Sequence, residues 1–398
     1  MCSYHLQSAA LVLPMMEAVD TRPSVALRIY GLADASAPRE CFDSSDFSCS
    51  VELHMNASTT ILPAPLLTVK WGAAQDDWRS RWFIAECAAE ESALEIYRQR
   101  SLRPRALARL TDGRTNSSYV ARLDALESRR SKRCRVRVCT KAYGNGGIVS
   151  DPAYLAWWLG ELQSIGVAEV ALYSLDQHPP PSVLEHVRAA HPGDLLALRR
   201  WPPRVPYSAV DYQRQSEVAS SEIEANYRSA MGHCVADAIG DFDWVTIIDT
   251  DELLVLAEGR TATPNRNGQR VGGPHPLCAA LLTPPPPGRL ALSAFRLPCT
   301  PSANGSFVIG APQQHDVDIA RRAATDPQAR ARLKEAHFEL TGWKAMWRPS
   351  LRTANSPGAH GPQHRIEDPV SNLLVPAEVA YLAHCTGKSR MGTRKKHP

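Results

Sequence analysis

The sequence predicts an α/β protein: a domain with a mostly parallel central sheet over residues 134–398, preceded by a smaller β-rich region over residues 1–133. Three observations carry that expectation. Short runs rich in β-branched and aromatic residues fill the first third. From Cys134 onward, strand-like runs alternate with amphipathic helix-like stretches. An apolar run, Trp244 to Ile248, then ends on the acids Asp249, Asp251 and Glu252. Strand and helix in alternation with short connections imply a parallel sheet with right-handed crossovers. Such sheets bind ligands beyond the carboxyl ends of their strands.

Taken in order, the β-rich region contains VALRIYGL (Val25 to Leu32), SVELHMN (Ser50 to Asn56), LLTVKW (Leu66 to Trp71) and RWFIAEC (Arg81 to Cys87), separated by turn-forming segments. A small sandwich or barrel fits them. EESALEIYRQRSLRPRALARL reads as helical until Pro104 interrupts it, and the basic run Arg129, Arg130, Lys132, Arg133 reads as a solvated linker. RVRVCT (Arg135 to Thr140) is a strand. The helix after it has Asp151 as N-cap and Pro152 at its first position. Leu155, Trp158, Leu159, Leu162 and Ile165 make its buried face, and Gly166 ends it. Val167 to Leu175 is a second strand, SVLEHVRAAH a second helix and Leu195 to Trp201 a third strand. A third helix carries Ile223, Tyr227, Ala230, Met231, Cys234, Val235, Ala238 and Ile239 on one face and leads into Trp244–Ile248.

Composition sets limits on function. With 398 residues, 44% of them hydrophobic and 22% charged, the chain has room for a large core and two domains. A net charge of +4 is too small to argue for nucleic acid as a partner. None of the ten cysteines sits in a CxxC pair, which argues against a zinc ribbon and permits disulfides. Cys234, on an apolar helix face, reads as a buried free thiol. Sequons at Asn56, Asn116 and Asn304 join the cysteines in pointing to a glycoprotein of the secretory pathway, with the Golgi lumen as the expected compartment. Ala9 to Met16 is too short to cross a bilayer and lacks a basic leader, so a membrane anchor is not visible in this chain.

Burying ionised carboxylates at the end of a greasy strand is costly unless something pairs with them. Two aspartates one residue apart can aim at one point, and oxygen ligands at that spacing suit Mn²⁺ or Mg²⁺, whose open positions take phosphate oxygens. A bare Asp-x-Asp more often caps a turn. The buried strand and helix before this one raise the functional reading above that.

WVTIIDTDELLVL, preceded by the Cys234 helix, closely resembles the Asp-x-Asp region of glycosyltransferase family 92, with Leu253 where the family favours Phe. YLAWWLGELQSIGVAEVALYSLD resembles the family's first crossover. KAMWRPSL, Ala359-His360 and YLAHCTGKS resemble its later blocks, with Cys385 where the family usually has Tyr. The resemblance runs as ordered blocks from about Cys134 to Arg390. It implies a GT-A-like nucleotide-binding domain and a metal-dependent transferase that moves a sugar, galactose in characterised members, from a UDP-sugar to a glycan acceptor with inversion.

On that reading Asp251 holds Mn²⁺ or Mg²⁺, and Asp249 meets the ribose or the metal. Asp176 holds the uridine, and Tyr143 stacks on uracil. His384 is the third metal ligand, with His360 as its competitor. Lys388 and Lys344 meet the diphosphate. Glu252, Glu339, Asp316 and Asp318 are the choices for the catalytic base that inversion needs. Two other readings stand beside the enzyme. One is a non-catalytic, carbohydrate-binding transferase-like protein. The other is a nucleotidyltransferase, which would release pyrophosphate instead of UDP.

Overall fold

The computed structural model describes residues 4–12, 25–34, 41, 43, 46–55, 58–71, 80–89, 105–125, 134–142, 151–174, 181–191, 193, 195–201, 217–238, 241–256, 289–301, 307–309, 312–326, 340–349, 372–375, 377 and 379–386. The first eight strands are β1 (Tyr4–Val12), β2 (Val25–Asp34), β3 (Phe47–Met55), β4 (Ser58–Ala64), β5 (Leu66–Trp71), β6 (Ser80–Ala89), β7 (Arg105–Asp112) and β8 (Ser117–Ala125). Next come β9 (Val136–Lys141), α1 (Pro152–Ile165), β10 (Glu169–Ser174), α2 (Pro181–Ala190), β11 (Leu196–Arg200), α3 (Glu217–Asp237) and β12 (Trp244–Ile247). The chain continues through β13 (Glu252–Leu256), β14 (Arg289–Pro301), β15 (Phe307–Ile309) and α4 (Gln314–Thr325). It ends with β16 (Leu340–Trp347), β17 (Asn372–Val375) and β18 (Ala380–Thr386).

These elements gather into two units. One comprises Met1–Arg130 with Trp201–Gly240 and Ala354–Ser356; the other comprises Ser131–Arg200, Asp241–Thr353 and Pro357–Pro398. In the first, eight strands run in the order β4-β3-β7-β8-β1-β2-β6-β5. All neighbours are antiparallel except β1 and β8. Period-two alternation explains the core. Cys49, Val51 and Leu53 of β3 turn inward against Leu27, Ile29, Phe83, Ala108 and Leu110, while Glu52 takes the other face. The Cys49–Cys87 disulfide ties β3 to β6 inside that core. Helix α3 packs on β2 and β6 of this unit through Tyr227, Ala230, Met231 and Cys234. Cys234 is disulfide-bonded, which overturns its reading as a free thiol. Burial on an apolar helix face suits half a cystine as well as it suits a thiol.

In the second unit the strand order is β11-β10-β9-β12-β16-β14-β18-β13, with β15 and β17 also paired to β14. β11, β10, β9 and β12 are parallel. Beyond β12 the sheet changes character: β16 is antiparallel to both its neighbours, and β13 is antiparallel to β18. The expected α/β class with a mostly parallel sheet is therefore wrong. Strands make up 56% of the described structure and helices 25%, and antiparallel pairing dominates the first sheet and mixes with parallel pairing in the second. The expectation extrapolated the alternation of residues 134–248 across the rest of the domain. After β12, α4 is the one helix among the described residues, so the strands there do not follow a strand–helix–strand rhythm.

Local signals explain α1. The Asp151 carboxylate accepts hydrogen bonds from the Ala153 and Tyr154 amides at 2.9 and 3.2 Å. Gly166 closes the helix at φ 99°, a left-handed conformation that glycine adopts without strain. The buried face comprises Tyr154, Leu155, Trp158, Leu159, Leu162 and Ile165, packed with Val136, Val138, Val170, Leu172 and Leu254.

Candidate active site at the end of strand β12

β12 is wholly buried and ends at Ile247. The chain turns at once: the Glu252 amide donates to the Asp249 carbonyl at 3.0 Å, and β13 begins at Glu252. Asp249, Thr250, Asp251 and Glu252 thus form a tight corner between two strands of one sheet.

The question of what pairs with these acids has a direct answer. Lys344, on β16, is 1% exposed. Its Nζ lies 3.0 Å from Glu252 Oε2 and 3.7 Å from Asp249 Oδ2, in ion-pair contact with both. Lys141, the last residue of β9, approaches Asp249 Oδ1 at 3.6 Å. Glu252 is 4% exposed, and its Oε2 also accepts the Asp249 amide at 2.9 Å. Burial pushes the Glu252 carboxyl above the usual carboxylate range and the Asp249 charge pushes the same way, while Lys344 opposes both. Glu252 is therefore a buried brace for the corner.

Asp251 faces elsewhere. Its Oδ2 is 3.4 Å from His384 Nε2, and both side chains are partly open to solvent. His384 is brought there by strand pairing, since β13 and β18 run antiparallel with Glu252 opposite His384. The Cys385 amide donates to the Asp251 carbonyl at 2.8 Å and fixes the register at the corner itself.

Helix α1 holds the corner from behind. Tyr154 Oη donates to the Thr250 carbonyl at 2.9 Å, and Trp158 Nε1 donates to the Glu252 carbonyl at 2.7 Å. The two aromatics are four residues apart and so share one helix face. Burial, with the Asp251 charge beside it, pushes the Tyr154 hydroxyl well above its usual range and keeps it a donor.

The structure thus brings together Asp249, Asp251, Glu252, Lys344 and His384. Sequence reasoning missed Lys141, Tyr154 and Trp158. The register of β9 with β12 would have found Lys141: Val136 to Cys139 pair with Trp244 to Ile247, and two residues further Lys141 meets Asp249. Asp318 lies on α4, where it accepts from Gln314 Nε2 at 3.0 Å and pairs with Arg321 at 3.1 Å. Asp316, in the first turn of α4, is buried. Tyr143, Asp176, Glu339, His360 and Lys388 lie outside the described residues.

Among the described residues no group of three or more His, Cys, Asp or Glu side chains is placed to hold a metal ion. Asp251 and His384 are a different case, a pair. An octahedral cation with bonds of about 2.1 Å sets neighbouring ligands about 3 Å apart. The 3.4 Å between Asp251 Oδ2 and His384 Nε2 suits two such positions. Hard cations in phosphate-handling sites take one or two protein ligands and leave the remainder to water and substrate. Asp249 fits less well, because two ammonium groups already neutralise it.

No family model matches the sequence, and no curated protein matches it. Among solved structures, HddC from Yersinia pseudotuberculosis is similar at 8% identity and a TM-score of 0.28, over 63% of this chain and 92% of that one. Core-mannan synthase A (CmsA/Ktr4) from Aspergillus fumigatus, in its Mn/GDP form, is similar at 10% identity and a TM-score of 0.30, over 66% of this chain and 80% of that one. At these scores neither likeness carries a fold or functional assignment.

Proposed function

We propose that this chain is a metal-dependent glycosyltransferase that moves a sugar from a nucleoside diphosphate donor to a glycan acceptor. The observation that carries the reading is the Asp251–His384 pair, partly open at a strand-end corner where Glu252 and Lys344 are buried and the equally open Asp249 is paired with two lysines. The block resemblance to glycosyltransferase family 92 supplies the finer terms, UDP-galactose as donor and inversion at the anomeric carbon, and the sequons with the cysteines supply the compartment, the Golgi lumen. Asp251 and His384 would hold Mn²⁺ or Mg²⁺, which stabilises the departing diphosphate as a Lewis acid.

The chain's own residues do the rest. Lys344 and Glu252 hold the corner rigid from within. Lys141, at the strand tip, adds positive charge on the side where a diphosphate would lie. Its pairing with Asp249 keeps Asp249 oriented as an acceptor for a ribose hydroxyl. Buried Glu252 and buried Asp316 are poorly placed as the base, which leaves Glu339 and Asp318 of the sequence candidates. Among the described residues no helix is long and apolar enough to cross a membrane.

The test is UDP binding by calorimetry, with and without Mn²⁺, in the parent and in Asp251→Asn and His384→Ala. Each variant should lose the metal-dependent part of the affinity, about tenfold or more, while keeping the parent's circular dichroism. Equal affinities in all three proteins would overturn the metal assignment. Pyrophosphate instead of UDP as the product of donor turnover would replace glycosyl transfer with nucleotidyl transfer.

A further inference from the structure

The hairpin between β7 and β8 carries a feature the transferase reading does not use. Its tip, Gly113 to Asn116, is exposed throughout, and it ends in the sequon Asn116-Ser117-Ser118. Asn116 sits at φ 50°, the one non-glycine residue with positive φ among those described. Asparagine tolerates that left-handed conformation at a turn. The base of the tip is pinned from within. The Gly113 amide donates to the Asp46 carbonyl at 2.9 Å, and Arg114 binds buried Asp112 through both its amide and its Nε at 3.1 Å. A large group added at Asn116 would therefore displace no packed side chain. Ser118 is exposed as well, its Oγ 3.0 Å from Thr111 Oγ1.

We propose that Asn116 is an N-glycosylation site and takes an oligosaccharide from a lipid diphosphate-linked donor. In the transfer the Asn116 side-chain nitrogen bonds to the anomeric carbon of the oligosaccharide. The bond from that carbon to the diphosphate oxygen breaks, the diphosphate leaves with the lipid, and one amide proton goes to solvent. A separate observation places this unit where the reaction occurs. The Cys49–Cys87 disulfide lies in the core of the same sheet, and such bonds persist in oxidising compartments. The inference does not rest on the transferase reading.

The experiment is peptide mass spectrometry of the full chain purified from its native cells, before and after glycosidase treatment. A matching set of variants carries Asn56→Gln and Asn304→Gln, so that a single sequon remains. In that background glycosidase should give one glycan-sized mobility step. Asn116→Gly, which keeps the positive φ without strain, and Ser118→Ala should each abolish the step, and Ser118→Thr should retain it. An unmodified Asn116 peptide overturns the proposal. If Cys49–Cys87 is oxidised in that sample, the site is wrong; if both cysteines are reduced, the compartment is wrong. Metal-dependent UDP binding should be the same in Asn116→Gly as in the parent, which separates this test from that of the proposed function.

Discussion

The two sheets handle buried charge in opposite ways. In the N-terminal sheet three acids are held by guanidinium groups. Arg28 Nε meets Glu86 Oε2 at 3.0 Å, Arg109 Nε hydrogen-bonds Glu52 Oε1, and Arg114 binds Asp112. Planar guanidinium donors match the carboxylate fork, as where Arg114 meets both oxygens of Asp112. At the corner after β12, three acids share two lysines and a histidine. Lysine is a point charge on a flexible stem and can serve two carboxylates at once. In the first sheet guanidinium forks hold the carboxylates, and at the corner one ammonium serves two of them.

The sharpest way to break that contrast is Lys344→Met. Removing one partner from a buried ion pair costs about 3–5 kcal/mol, because the remaining charge is left uncompensated. Lys344→Met should lower stability by that amount in urea titrations. Adding Glu252→Leu should recover most of the loss, since Asp249 keeps Lys141. A cost below about 1 kcal/mol for the single variant would mean that Glu252 is uncharged there, and the ion-pair account would fail.

Next in size is the disulfide of the first unit. Cys49 and Cys87 are separated by 38 positions, and closing a loop of that order contributes about 2–4 kcal/mol. Replacing both with Ala should lower the denaturation midpoint accordingly and leave metal-dependent UDP binding at the corner unchanged. Loss of that binding in the folded variant would show that the two regions are not independent.

The smallest effect concerns Glu52. The Arg109 hydrogen bond holds its carboxyl below the ordinary value of 4.5, against the opposing effect of burial. A depressed folded pKa contributes stability that is present above the unfolded value and is lost as pH falls through the folded one. The melting temperature of the parent should therefore drop more steeply on acidification below about pH 4.5 than that of Glu52→Gln. Identical acid limbs would remove Glu52 from the account.

Much of the corner is legible in the sequence, and the reason is local. Trp244 to Ile248 announces a buried strand, and the acids beyond it have nowhere to go but its end. Helix α1 is legible because Asp151, Pro152 and Gly166 mark both ends and the apolar spacing fills the middle. β7 is not. ALARL is made of helix formers, and its strand identity comes from Ala108 and Leu110 turning into a core that nonlocal partners build. β4 is concealed by Pro63 and by an alternation that leaves Ile61 exposed. The mixed half of the second sheet is set by pairings such as Arg289 with Trp347 and Glu252 with His384, which no short window contains. For the same reason Lys344 could be named as a cation near the site but not seen as buried beneath it.

Two contacts have an evolutionary consequence. Tyr154 and Trp158 reach the corner through the carbonyls of Thr250 and Glu252, atoms that every amino acid possesses. The position of the turn is thus inherited separately from the chemistry displayed on it. A descendant could exchange Asp251 for another residue and still pass on the bend intact. A change of side chain at this corner does not require the architecture to be rebuilt first.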